Sequence, residues 1–236
     1  MQKIVICHNA SEATAASAVT LKNTLEQYAS QYFDSFEILT DGSETVINCK
    51  IGNVTAFQIV YNTSSDTILR AANVDIKANF SSLRLCIYNV YVLDNAICFE
   101  YGYCDGTFYL FKEAIFFMCK RSDGKTAVLY ASSQASGANR YRMANPGSSG
   151  YCVVSIDRTT GATSIGESPH YRNAGTQDVA GYTPFSIIDG AAIKNVFINE
   201  RTGFSYNYND NVPFEYSLNG ETFTAFRGNC ICVKGT

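Results

Sequence analysis

The chain has no tryptophan, two histidines, three methionines and four prolines in 236 residues. With only His8 and His170 present, imidazole-based catalysis or metal ligation has to use one of them. On an extended strand Cys7 and His8 point to opposite faces, which argues against a Cys–His dyad built from that pair. His170 lies in Ser168-Pro169-His170-Tyr171-Arg172, and no spacing gives it a partner. No C-x-x-C pair, phosphate-binding loop, dinucleotide fingerprint, nucleophile elbow, zinc-protease or EF-hand motif occurs. There is no apolar run near the roughly 18 residues of a membrane span. Ile4-Val5-Ile6-Cys7 is too short for the apolar region of a secretion signal, so the expectation is synthesis in the cytoplasm. A basic excess is also missing. Lys and Arg total 18 against 21 Asp and Glu, which disfavours a nucleic-acid binder that must neutralise phosphates. The basic spots Lys120-Arg121 and Arg140-Tyr141-Arg142 read as solvated turn residues.

What the chain does have is apolar surface. Hydrophobic residues make up 46% and charged residues 17%, enough for a packed core and against disorder. Fifteen Phe and 16 Tyr suit sheets and interfaces, where a ring packs while its hydroxyl stays wet. Nine cysteines, mostly inside apolar strand patterns, read as free thiols acting as small hydrophobes in a reducing compartment. Cys230 and Cys232 would share one strand face, either as half a metal site or, the preferred reading, as two core residues.

The organising stretch runs from Leu83 to Tyr130. LRLCIYNVYVL, AICFEYGYC, TFYLFKEAIFFMCK and TAVLY read as long strands on a pleated, half-buried surface. Turn signals at Asp94-Asn95, Asp105-Gly106 and Ser122-Asp123-Gly124-Lys125 separate them. Before it, KIVIC (3–7) reads as a short buried strand. Ser11 is a candidate N-cap for a helix over about 12–32, with Ala18, Leu21, Leu25, Tyr28 and Tyr32 on one face. Short strands follow to residue 62, and 67–80 fit either a short helix or an edge strand. Residues 131–150 are rich in Ser, Gly, Ala and Asn and read as a long loop. Further strands are expected at 151–157, 185–188 and 191–199. In PFEYSLNGETFTAF, Asn219-Gly220 is the type I′ pair. It sets Leu218 opposite Glu221, Tyr216 opposite Phe223 and Phe214 opposite Ala225. A last strand, CICVK, ends the pattern. The expected fold is α+β and predominantly antiparallel β, sandwich or barrel-like, with one N-terminal amphipathic helix. Residues 1–80 form a small α+β unit and 81–236 an antiparallel β domain.

Carboxylate pairs for glycoside hydrolysis are set by space, not sequence. Of Asp94, Glu100, Asp105 and Glu113, only Glu100 lacks an obvious structural role. The simpler reading makes it an outward-facing strand residue. Asn207-Tyr208-Asn209-Asp210-Asn211 offers oxygen ligands for Ca²⁺, though a turn explains it as well.

The ending FEYSLNGETFTAFRGNCICVKGT is a hairpin closed by Asn-Gly, then a Gly-Asn turn and a terminal strand. It resembles the endings of tail-associated virion proteins of phages and prophages of gut bacteria. The order of a helix-bearing unit, aromatic strands and Ser/Gly/Asn loops is also similar in style. The resemblance implies a virion structural protein of the tail tip, baseplate or fibre region. It would be made in the host cytoplasm, assemble with copies of itself and other virion proteins, and need no cofactor, metal or catalytic residue. Its interface candidates are Tyr141, Arg142, Tyr206, Tyr208, Tyr216 and Phe223. The alternative is a carbohydrate-binding or adhesin module whose tyrosines stack on host-surface glycan. A hydrolase using Glu100 or His170 is a third reading.

Overall fold

The computed structural model describes residues 1–7, 12–41, 44–63, 67–72, 74–77, 84–104, 109–135, 140–142, 150–167, 182–186, 189–199, 213–226 and 231–235. The first elements are β1 (Gln2–Val5), α1 (Ala15–Tyr28), β2 (Ser35–Asp41), β3 (Glu44–Ile51), β4 (Val54–Thr63), β5 (Thr67–Ala71) and β6 (Val74–Lys77). The long central strands are β7 (Arg84–Val92), β8 (Ala96–Cys104), β9 (Tyr109–Lys120) and β10 (Thr126–Ala135). After them come β11 (Arg140–Arg142), β12 (Gly150–Ile156) and β13 (Thr163–Glu167). The last group is β14 (Tyr182–Ser186), β15 (Ala192–Asn199), β16 (Phe214–Leu218), β17 (Glu221–Phe226) and β18 (Ile231–Lys234). β1 to β13 make one sheet, and β14-β15-β18-β17-β16 make a second. Pairing among the described strands is antiparallel except between β6 and β11. The architecture is α+β, mostly antiparallel and sandwich-like, with a single helix near the N-terminus among the described residues.

Two apolar clusters explain the layering. Ile97, Phe99, Phe116, Met118, Val128 and Val154 point into a first core shared with α1 and β3 to β6. Their neighbours Ala96, Cys98, Phe117, Cys119, Ala127, Leu129 and Val153 point the other way, into a second core with Ile193, Val196, Phe226, Ile231 and Val233. β8, β9, β10 and β12 are therefore buried on both faces. This is why AIC, IFFMC and TAVL read as continuous apolar runs instead of alternating ones. The half-buried surface expected from sequence is a middle layer. The first core is built around aromatic rings. Phe99 stacks on Phe116 at 4.3 Å, and Phe57 meets Phe116 edge-on at 6.5 Å.

The helix is shorter than its periodic pattern. It starts at Ala15, with Thr14 as N-cap, whose N–H donates to Ser17 Oγ at 2.9 Å. Ala18, Leu21 and Leu25 are fully buried, and the helix packs on β2 and β3. It ends at Tyr28, and a turn carries Tyr32 and Phe33 into the core beyond it. β1 is an outer strand against β7, with Val5 exposed. Burial begins only at Ile6 and Cys7, so the short buried strand expected there is mostly an exposed edge. Residues 67–71 and 74–77 are strands rather than a helix.

The boundary expected near residue 80 is crossed several times. β1 and β4 both pair with β7, and β6 pairs with β11. The first core runs from Ile6 to Ile156 without a break at that point. The second sheet starts only at Tyr182.

Phe116 lies at the centre of the stacked rings and is fully buried. Phe116→Ala should cost about 3–5 kcal/mol in urea unfolding. Val54→Ala, at an exposed position, should stay within about 0.5 kcal/mol of the parent. Equal effects at the two sites would contradict the core assignment.

Candidate functional site

The C-terminal hairpin folds in the register its turn dictates. Asn219 (φ 51°) and Gly220 (φ 80°) both take positive φ, as a type I′ turn requires. Leu218 pairs with Glu221, Tyr216 with Phe223 and Phe214 with Ala225. β16 ends the path of the small sheet, so Tyr216 sits on an outer strand. Phe223 lies on β17, between β16 and β18, and is 4% exposed. Phe197 meets its ring at 5.7 Å and 82°. Phe223 is thus packed within the chain rather than presented as an exposed ring.

Tyr141 and Arg142 lie on β11, not in a long loop. Tyr141 pairs with Ile76 on one side and with Ala135 on the other, and Arg142 pairs with Lys77 and Ser133. Strand structure therefore occupies 131–135 and 140–142 of the segment expected to be structureless. The earlier reading of Arg140-Tyr141-Arg142 as turn residues is corrected in the same way. Tyr206, Tyr208, His8, His170, Asp105, Cys230 and the stretch 207–211 lie outside the described residues. Cys232 is buried on β18, and the seven cysteines whose side chains are described are all buried and none of them is in a disulfide. Among the described residues no three His, Cys, Asp or Glu side chains gather as metal ligands.

Two polar clusters lie where the sheets stack. The first centres on Glu100, which is fully buried instead of facing outward. It shares the β8 face of Ala96 and Cys98, directed at the second core. Asn89, its cross-strand partner, donates its side-chain N–H to Glu100 Oε2, and the Tyr91 hydroxyl donates to the same oxygen at 3.2 Å. Burial, then the charge of Glu100, pushes the Tyr91 phenol well above its ordinary range. Burial and the same charge push up the Cys98 thiol. The Tyr91 ring meets Phe226 of the small sheet edge-on at 6.1 Å, so the carboxylate holds a contact that spans both sheets.

The second cluster centres on Arg121, at the end of β9. Sequence reasoning placed it in a solvated turn, yet it is 4% exposed. Its guanidinium donates to Asp123 (3.0 and 2.8 Å), to Ser155 on β12, and to Asp189 (2.9 Å) in the connection between β14 and β15. Backbone bonds reinforce the join, with Ser122 N–H donating to Ala192 O at 2.8 Å. The Ala191 N–H holds Asp189 below the usual carboxylate range against its burial, and Arg121 adds to this. Burial pushes Asp123 up, but Arg121 and the Lys125 N–H outweigh it and leave Asp123 lowered. Arg121 therefore latches the small sheet to the large one. Its partner Asp189 is 68 residues away in sequence, so no local signal exposed it.

Two outcomes follow from these clusters. Glu100→Ala leaves two buried donors without their acceptor and should cost about 2–4 kcal/mol in urea unfolding. The latch should also give an acid dependence. Depressed folded-state values for Asp123 and Asp189 mean that their stabilisation is present above the unfolded carboxylate value of about 3.9. It is lost as pH falls through the folded values. Asp189→Asn should lower the urea midpoint at pH 7 and narrow its gap to the parent at pH 3; a gap that widens in acid would contradict the latch. Comparison with family models, with curated proteins and with solved structures finds no match to this chain.

Proposed function

We propose that this chain is a structural protein of a phage virion, acting by assembly in the tail tip, baseplate or fibre region. The C-terminal sequence resemblance supports the virion setting. One structural observation supports the assembly chemistry: both sheets end in strands that carry exposed apolar side chains. β2 ends the larger sheet's path and holds Leu39 at 44% exposure. β16 ends the smaller sheet and holds Leu218 at 37%. An outer strand leaves alternate N–H and C=O groups free to accept a further strand, which is how sheets add subunits. Pairing between copies gives the symmetric oligomers common in such assemblies. Tyr216, on the same outer strand as Leu218, keeps its role as an interface candidate in this reading.

Native mass spectrometry at micromolar concentration tests the proposal. The parent should appear as a homo-oligomer, and Leu39→Lys or Leu218→Lys should shift it toward monomer at least several-fold without lowering its melting temperature. A strictly monomeric parent would sink the assembly reading. Co-expression with the products of neighbouring genes tests the virion setting separately, since tail components should then co-purify with the chain.

A further inference from the structure

Cys7 and Cys86 place their sulfurs 3.8 Å apart in the first core. Cys86 is on β7, and Cys7 lies two residues beyond the end of β1, which pairs with β7. Backbone bonds hold the two segments together beside the thiols, with Ile6 N–H donating to Tyr88 O at 2.7 Å. The Cys7 thiol also donates to Ile87 O at 3.2 Å. Both residues are buried, at 2% and 0% exposure.

We propose that Cys7 and Cys86 are a redox pair that a hydroperoxide closes into a disulfide, stapling the N-terminal strand to β7. The Cys7 thiolate attacks the peroxide O–O bond, giving a sulfenic acid and hydroxide, which takes up the thiol proton to become water. The Cys86 thiol then attacks the sulfenic sulfur, the S–S bond forms, and a second water leaves. Two thiols are oxidised and one hydrogen peroxide is reduced to two waters.

The surroundings favour Cys7 as the first nucleophile. A hydrogen bond from Cys86 lowers its pKa, burial opposes this, and the Tyr61 hydroxyl lowers it further. Burial instead pushes the Cys49, Cys98 and Cys119 thiols above their ordinary range. Tyr61 donates to Ser17 Oγ at 2.6 Å, and that oxygen accepts the Thr14 N–H at the start of α1. The staple thus connects to the helix N-terminus through one side chain.

Peptide mapping of the folded parent chain tests this. Graded hydrogen peroxide is followed by alkylation and mass spectrometry without reduction. A linked peptide joining Cys7 to Cys86 should form before other cysteines are modified, and the melting temperature should rise and fall back on adding dithiothreitol. Cys86→Ser should replace the link with a sulfenic acid on Cys7, trapped by dimedone when the oxidised chain is unfolded in urea that contains it. Oxidation of other cysteines first, a link that forms only in urea, or no change at either residue would each overturn the proposal.

Discussion

Burial of the middle strands on both faces is the constraint on which the rest of the structure depends. Phe116 and Phe117 are neighbours on β9 that point into different cores, and both are fully buried. A strand built this way has no face left for water, so each side needs its own covering layer. The first layer is supplied by α1 with β3 to β6, and the second by the five-stranded sheet. Phe117 and Phe226 meet edge-on at 4.9 Å across that second seam.

The polar groups follow from this layering. Arg121 and Glu100 both lie where the small sheet covers the large one, and both are buried with hydrogen-bonded partners. Apolar contact between sheets has little directional preference, so a seam of Phe, Val and Ile alone would slide. An arginine gripping two aspartates and a serine is met at one registry, while Glu100 and its two donors, all on β7 and β8, hold Tyr91 against Phe226. The Arg121 cluster therefore fixes where the small sheet sits, while the apolar seam supplies most of the attraction. The Cys7–Cys86 pair lies apart from them, in the first core, so its chemistry is separate from the join between sheets.

Local chemistry was legible in the sequence and distant partnership was not. Asn219-Gly220 alone determined the register of β16 and β17, because two residues with positive φ admit one hairpin geometry. The stripe Ala18, Leu21 and Leu25 located the helix, although its last expected members, Tyr28 and Tyr32, lie at and beyond its end. Glu100 looked outward because it alternates with Phe99, yet the opposite face of that strand is also buried. The same two-sided burial was written in IFFMC and TAVL, whose lack of alternation is its signature. Arg121 was missed because its meaning depends on Asp189 and Ser155, which the chain delivers only after folding. The Ser/Asn-rich composition of 131–150 suggested a loop, but β11 is held there by pairing with β6 and β10.

Native-state hydrogen exchange read by mass spectrometry tests the layered account most directly. If the middle strands depend on both coverings, amides of β9, β10 and β12 should be the slowest in the chain. Those of β17 and β18 should open with nearly the same free energy, because their inner face shares the second core. A small sheet that exchanges several orders of magnitude faster, while β9 and β10 stay protected, would contradict it.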